Sequence, residues 1–421
     1  MTVQVAGHTN DSAWSILYGA MINQLGLSPQ QFQLLYPMVS WNWPVNTLGF
    51  TNAAQYNFCA TMPQWSATGA YASSASSFDQ AYIQFLNCIA MATTNPALQA
   101  KIQAAENALT KASNQLQLTS GMALSTYDST VKDNQPTYSE WLGTPAGVGF
   151  AVRMAADQVV LEQAQAVVNT LAQQQTTPNL SAALNSAADK NYYTKFQDPT
   201  LNAFPLVPSY SLGLSSSDWV QQVLTGGSTG GSLSFANTSA TYDYHNTWAK
   251  GSASVGNPFF AVQANGGWQE IAEFYTDTSL QVDIKMMAWD MIPITPGRWY
   301  SGTTALANGP YKHGFAKDAA SATSGETYMF GKGGLLPLLK TGMLVCYQPE
   351  ITITCSSATY NAFQRNWSAA LGLRVGPFCI EGSAGSSALT WSSTGSLGTL
   401  KVASRSNVPL IFGVTIAQEP V

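Results

Sequence analysis

The chain has 421 residues, 45% of them apolar and 11% aromatic, but only 9% charged, with a formal net charge of −5. That apolar content excludes a globally disordered chain. With no cluster of Lys or Arg, counterion-driven binding to nucleic acid and charge-driven docking on anionic lipid are excluded as well.

An average soluble protein is about 25% charged; here polarity rests on Ser, Thr, Asn and Gln. A surface of neutral amides and hydroxyls loses the mutual repulsion that keeps molecules apart, so the composition points to association. The length favours two domains.

The elements follow in chain order. Asp11 and Ser12 are cap candidates for a helix whose Trp14, Leu17, Tyr18, Met21, Ile22 and Leu25 recur at three- and four-residue spacing, with Gly26 as a stop. Ser28-Pro29 opens an expected second, short helix through Leu34 and Leu35. Between Asp11 and Asp79 there is no Asp, Glu, Lys or Arg. Within that run, Trp41, Trp43 and Trp65 lie in a stretch broken by Pro44, Asn46, Gly49 and Pro63, expected to be irregular and aromatic-rich. Ser77 then caps a helix with Phe78, Ala81, Tyr82, Phe85, Leu86 and Ile89 on one face.

The clearest periodicity comes next. Asn95 suits an N-cap and Pro96 the first helical position. Leu98, Ile102, Ala105, Leu109, Ala112, Leu116 and Thr119 alternate by four and three, and so do Phe150, Met154, Asp157, Leu161, Ala164, Val168 and Leu171. Two such seams predict helices lying side by side. The expectation is a coiled-coil-like antiparallel hairpin over about 95–175, joined through 122–148, with Lys101, Glu106, Lys111, Arg153 and Glu162 off the seam. The charge-free run "WLGTPAGVGFAV" (141–152) is too short to span hydrocarbon, which takes about 20 residues. Gly147 and Gly149 in it suit tight packing or a bend.

Past residue 200 the period becomes two. Pro205, Pro208 and "LTGGSTGGSLS" mark a Gly/Ser/Thr-rich connection over 201–250. Beyond it Leu280, Val282, Ile284 and Met286, then Ile351, Ile353 and Cys355, alternate with polar neighbours. "LGLRVGPFCI" and "VPLIFGVTI" are further strands. The expected class is therefore α+β: a helical domain over 1–200 and an antiparallel, β-sandwich-like domain over 251–421.

Chemistry-bearing motifs are sparse. Gly226-Gly227-Ser228-Thr229-Gly230 fits G-x-S-x-G but lacks a preceding strand, so it reads as a chance match in a Gly/Ser/Thr tract. Asp243 and His245 form one candidate acid–base pair for a hydrolase; His8 and His313 are the other histidines. Glu270, Glu273 and Asp277 face one way only if "WQEIAEFYTD" is helical, and could then hold a divalent cation through oxygen ligands. Five cysteines are no disulfide framework. Cys346 and Cys355 flank an expected hairpin turn, as a pair or as two reduced thiols. No motif calls for a cofactor or metal. The first residues lack a basic-then-apolar leader, and no window of about 20 apolar residues exists. A soluble chain is expected, cytoplasmic or released by a non-classical route.

Taken together, these features predict a non-enzymatic, self-associating protein, a homo-oligomer or larger assembly that touches a membrane or glycan surface. Trp41, Trp43, Trp65, Val148 and Phe150 are the candidate membrane or partner contacts. Trp248, Trp268, Trp299 and Tyr300 are the candidate carbohydrate contacts, since aromatic faces beside polar groups suit sugars. In layout alone, a helical hairpin followed by a β module, the chain resembles α-helical pore-forming toxins that carry an added β module. The polar side of the hairpin turn, "STYDSTVKDNQPTYSE", departs from that layout. The alternatives are a structural subunit of an assembly and a hydrolase-type enzyme using Asp243 and His245.

Overall fold

The computed structural model of the chain describes residues 10–28, 32–43, 50–66, 69, 71, 73–91, 96–131, 138–172, 178–197, 206–227, 230–239, 258–264, 267–367, 372–381 and 387–420. The helices are α1 (Asn10–Leu25), α2 (Ala53–Ala60), α3 (Phe78–Cys88), α4 (Pro96–Thr130), α5 (Tyr138–Leu142), α6 (Val148–Ala172), α7 (Pro178–Ala188), α8 (Ser216–Leu224), α9 (Glu273–Thr276) and α10 (Ser357–Trp367). The strands of the N-terminal half are β1 (Phe32–Ser40), β2 (Phe50–Asn52), β3 (Thr61–Pro63), β4 (Ser73–Ser77) and β5 (Tyr193–Gln197). Then come β6 (Leu206–Pro208), β7 (Tyr210–Leu212), β8 (Gly231–Ala236), β9 (Phe260–Ala264), β10 (Gly267–Glu270), β11 (Gln281–Pro296), β12 (Phe315–Asp318) and β13 (Thr327–Phe330). The chain closes with β14 (Leu338–Ser356), β15 (Gly372–Val375), β16 (Phe378–Glu381), β17 (Ser387–Thr394), β18 (Leu397–Ser404) and β19 (Leu410–Gln418).

The class is mixed α+β, with a long antiparallel helical pair in the N-terminal half and antiparallel sheets in the C-terminal half. Two long strands form the spine: β11 pairs with β14 in unbroken antiparallel register from Gln281↔Thr354 to Pro293↔Gly342. Each is then shared by two sets of neighbours. β8 and β7 pair successive lengths of β11, and β19 and β18 pair successive lengths of β14. With β1 on β19 and β17 on β18, eight strands result. Val282, Ile284 and Met286 alternate with polar residues, as a sheet covered on one side requires.

The four-stranded sheet β10-β9-β15-β16 contributes Phe260, Val262, Leu373, Val375, Phe378 and Ile380 to the same core as those residues. α1 is sunk in this core. Trp14 meets Phe259 edge-on at 5.3 Å, and Tyr18 stacks on Phe32 at 4.2 Å. Ala13 to Met21 are all buried, so α1 is covered all round rather than along one stripe. The packing therefore does not divide at residue 200.

Several expectations are corrected. Leu34 and Leu35 lie in strand β1, not in a short helix, because the sheet edge of β19 supplies partners for Phe32, Gln33 and Leu34. The segment 39–65 is not wholly irregular: α2 forms where Asn52 accepts hydrogen bonds from the amides of Ala54 and Gln55. Much of the expected 201–250 connection is ordered structure, since β7 and β8 are strands of the main sheet and α8 caps it through Trp219 and Val223. Cys346 and Cys355 share strand β14, nine residues apart, or roughly 30 Å at strand rise. They cannot pair, and both are buried free thiols.

Candidate interaction surface

α4 runs 35 residues, about 52 Å as helix, and packs antiparallel along α6. The expected seam is where the contact lies. Ile102, Ala105, Leu109, Ala112 and Thr119 are buried, and the spacing continues through Ala123 and Tyr127. α6 answers with Phe150, Met154, Asp157, Leu161 and Ala164 part-buried and Val168 and Leu171 buried. Two contacts pin the register: Thr119 Oγ1 donates to Asp157 Oδ2 at 2.5 Å, and Ser120 Oγ reaches Met154 Sδ at 3.5 Å.

The base of the pair is tied to the rest of the molecule. Ile102, Leu109, Val168 and Leu171 share a cluster with α3, α7, Trp299 and Phe330. Glu106 pairs with Lys312 at 2.6 Å, and Asn87 donates to Gln165 at 3.0 Å. The far end closes on itself. Tyr127, Tyr138, Trp141 and Phe150 form a cluster of hairpin residues, with Trp141 and Phe150 stacked at 5.8 Å. Gly147 lets this corner form: a Cβ there would stand 2.1 Å from the Trp141 carbonyl oxygen. The "WLGTPAGVGFAV" run thus packs Trp141 and Phe150 at the corner between α5 and α6 and leaves Val148 and Val152 exposed.

The side of α6 turned away from the seam is unusual. Val148, Val152, Val159, Val160 and Val167 are 45–64% exposed, and Ala155, Ala156, Gln163 and Ala166 between them are exposed too. At 100° per residue these nine positions fall in one band, and its flanks carry Arg153 and Glu162. Solvated helix faces are ordinarily the charged ones; this one is charge-free. Apart from Val148, sequence reasoning missed it. Its signal was present in the four- and three-residue spacing of Val148, Val152, Ala155 and Val159, a second apolar stripe on a helix already supplied with one.

The other candidates are scattered. Trp41 is 1% exposed and packs on Trp43 and Trp219 at 6.5 and 6.0 Å; Trp43 and Trp65 are part-buried against the cores. Trp41 is therefore a packing residue, covered by α2, α8 and the main sheet, while Trp43 and Trp65 pack in part against the cores. Phe150 belongs to the closed tip. Among the carbohydrate candidates, Trp299 is 1% exposed and its indole N–H donates to the Ser209 carbonyl at 2.6 Å. Tyr300 donates to Glu419 at 2.6 Å. Trp268 is part-buried on β10, and the guanidinium carbon of Arg374 lies 4.0 Å over its ring. Trp248, Asp243, His245, Ser228 and His8 lie outside the described residues; His313 is exposed.

Two buried ionisable groups stand apart. Asp79 accepts hydrogen bonds from Tyr56 (3.3 Å) and Tyr210 (3.4 Å), and burial pushes its carboxyl up to about 6 against those bonds. Lys340, 2% exposed, donates to the Phe58 carbonyl and to Tyr71 Oη at 3.2 Å, with its ammonium over both rings. Burial brings its pKa down to about 7. Glu270 lies on β10 and Glu273 in α9, while Asp277 accepts from the Ser279 and Ser356 amides at 2.8 Å. No group of three metal-ligating side chains occurs among the described residues, and none of the described helices is long and apolar enough to cross a membrane.

No family model matches the chain, and neither a curated protein nor a solved structure does.

Proposed function

We propose that the protein is a non-catalytic, self-associating subunit and that the outer face of α6 seats a second copy of the same helix. The observation that carries this reading is the charge-free band from Val148 to Val167, exposed along a helix whose other side is already buried. In an antiparallel pairing centred between Asp157 and Gln158, Val159 of one copy meets Ala156 of the other, and Val152 meets Gln163. Large thus faces small at the centre, and Arg153 and Glu162 stay on the rim. Closed two-fold contacts of this isologous kind are the commonest in soluble oligomers.

The area sets the strength. A band of 20 residues is roughly 30 Å long and about 10 Å wide, on the order of 300 Å² per copy. The pair buries about 600 Å², below the ~1,200 Å² of a standard stable interface. The contact is weak in isolation and becomes durable when repeated within an assembly. That favours a structural subunit over a discrete tight dimer. Insertion of the hairpin into lipid is disfavoured, because α4 carries Lys101, Glu106 and Lys111 and each charge at the bilayer centre costs about 2.5–3.5 kcal/mol.

Sedimentation of the full chain over a concentration series tests this. Mass rising with concentration, together with no leakage from dye-loaded vesicles, is the expected result. A strict monomer at millimolar concentration would remove the proposal, and leakage from the vesicles would favour membrane action.

A further inference from the structure

The two flanks of the α4–α6 seam are unlike. In heptad terms the four-three spacing puts Thr119 and Asp157 both at d, and in an antiparallel pair the e positions of the two helices share one side of the seam and the g positions the other. The e side meets the rest of the molecule: Glu106 pairs there with Lys312 at 2.6 Å, Asn87 donates to Gln165 at 3.0 Å, and Ser113 and Ser120 are half-buried. The g side faces away from these contacts. Every g position from Lys101 to Ser129 on α4, and from Arg153 to Val167 on α6, is exposed. Large apolar side chains stand among them: Met122, Val160 and Val167 at g are 49%, 54% and 52% exposed, and Leu118 at the neighbouring c position is 61% exposed.

Charge is sorted by side as well. The cations of α4 and α6 are Lys101, Lys111 and Arg153, all exposed, at g, c and g. The acids are Glu106, Asp128, Asp157 and Glu162, at e, f, d and b, so none is on the g side. Glu106 and Glu162 are already matched by Lys312 and Lys190, whereas among the described residues the three cations form no ion pair. The contact of Ser120 with Met154 sets Arg153 level with Met122. The cations therefore follow one another at roughly 15 Å intervals along a trough of about 30 Å, with the apolar side chains between them.

We infer that the g side of the hairpin is a docking trough for an acidic amphipathic helix of a partner protein. Its apolar stripe seats on Leu118, Met122, Val160 and Val167, and its carboxylates meet Lys101, Lys111 and Arg153. Charge complementarity selects this occupant. A second copy of the hairpin would bring the same cations against them. An interval of 15 Å is ten to eleven residues of helix, and eleven residues make three turns, so carboxylates at i, i+11 and i+22 reach all three cations from one face. The inference does not depend on the α6 self-contact, whose band adjoins the trough at Val160 and Val167.

The probe is a fluorescein-labelled, helix-forming peptide of about 25 residues with a leucine stripe and glutamates at i, i+11 and i+22, beside a twin carrying lysines at those three places. Both are titrated with the full-length protein and followed by fluorescence anisotropy. Saturable binding of the glutamate peptide, weakening as salt is added, is expected, with the lysine twin bound at least about tenfold more weakly. Lys111→Glu combined with Arg153→Glu changes two exposed side chains and leaves the fold intact, which thermal unfolding checks. That variant should bind the glutamate peptide at least about tenfold more weakly than the parent and prefer the lysine twin. Val159→Lys, on the α6 band, should leave peptide binding unchanged, which separates this site from the self-contact. No binding of the glutamate peptide, equal binding of the two peptides, unchanged binding by the double variant, loss of binding in V159K, or binding to phosphatidylserine vesicles in place of the peptide overturns the assignment.

Discussion

Replacing Val159 with Lys tests the α6 contact most directly. The side chain is 52% exposed in a single copy, and Lys is a somewhat better helix former than Val. The isolated fold should therefore be unaffected to within about 0.5 kcal/mol. In the proposed pair the remaining half of Val159 is covered by Ala156 of the second copy. Full burial of a valine is worth about 1.5 kcal/mol, so each copy contributes about 0.8 kcal/mol and the two-fold pair about 1.5 kcal/mol. That is roughly one decade in the dissociation constant, before any cost of crowding two ammonium groups near the axis. Sedimentation equilibrium should show V159K associating at least about tenfold more weakly than the parent chain, with identical thermal unfolding at low concentration. An unchanged association constant, with a monomer equally stable, would refute the α6 pairing even if the protein still assembles by another face.

Four further outcomes are expected. Lys340 holds its proton up to about 7 when folded against 10.5 unfolded, so between those values the unfolded chain binds more protons and stability rises with pH. Below 7 the penalty is complete, and Lys340→Met should raise stability there and flatten the slope, as seen by denaturant titration at pH 6 to 10. Asp79 has the opposite sign, with its pKa raised from 3.8 to about 6. The folded chain holds more protons between about 4 and 6, so stability falls as pH rises through that window, by on the order of 3 kcal/mol; Asp79→Asn should remove the fall. Gly147→Ala forces a Cβ onto the Trp141 carbonyl; it should cost 1–3 kcal/mol and speed amide exchange at the hairpin tip. Thr119→Val leaves Asp157 without its donor in the seam and should cost about 1–2 kcal/mol, largely recovered when Asp157→Leu is added.

Where local pattern and tertiary environment agreed, the elements were legible. The α4–α6 seam is the best case: a four-three alternation sustained for several turns has no other geometry that buries it. β11 and the second half of β14 were readable for the same reason at period two. Leu34 and Leu35 misled because the apolar run Leu34-Leu35-Tyr36 is too short to carry a period of its own, and the β19 edge decided it. The Gly/Ser/Thr tract misled because strands such as β8 contribute few large side chains, Leu233 and Phe235 alone entering the core. Composition there reported solvent exposure of alternate residues, not absence of structure.

Low charge directed attention first to the tryptophans near the start, of which Trp41 is buried and Trp43 and Trp65 part-buried. Tryptophans draw attention because they are large, yet size is the reason they are buried: Trp41 and Trp299 each fill a core that smaller side chains would leave open. The α6 band consists of valine and alanine, which no single-residue scan singles out, and it became visible only after the seam fixed which side of the helix faced α4. A stripe of small apolar residues opposite a seam has no role in the stability of one copy. Water penalises it in the monomer, and a charged replacement at Val152 or Val159 would have removed that penalty without disturbing the fold. Under the proposed pairing a second copy of α6 covers the band, and it offers matching length, neutrality and small-residue spacing.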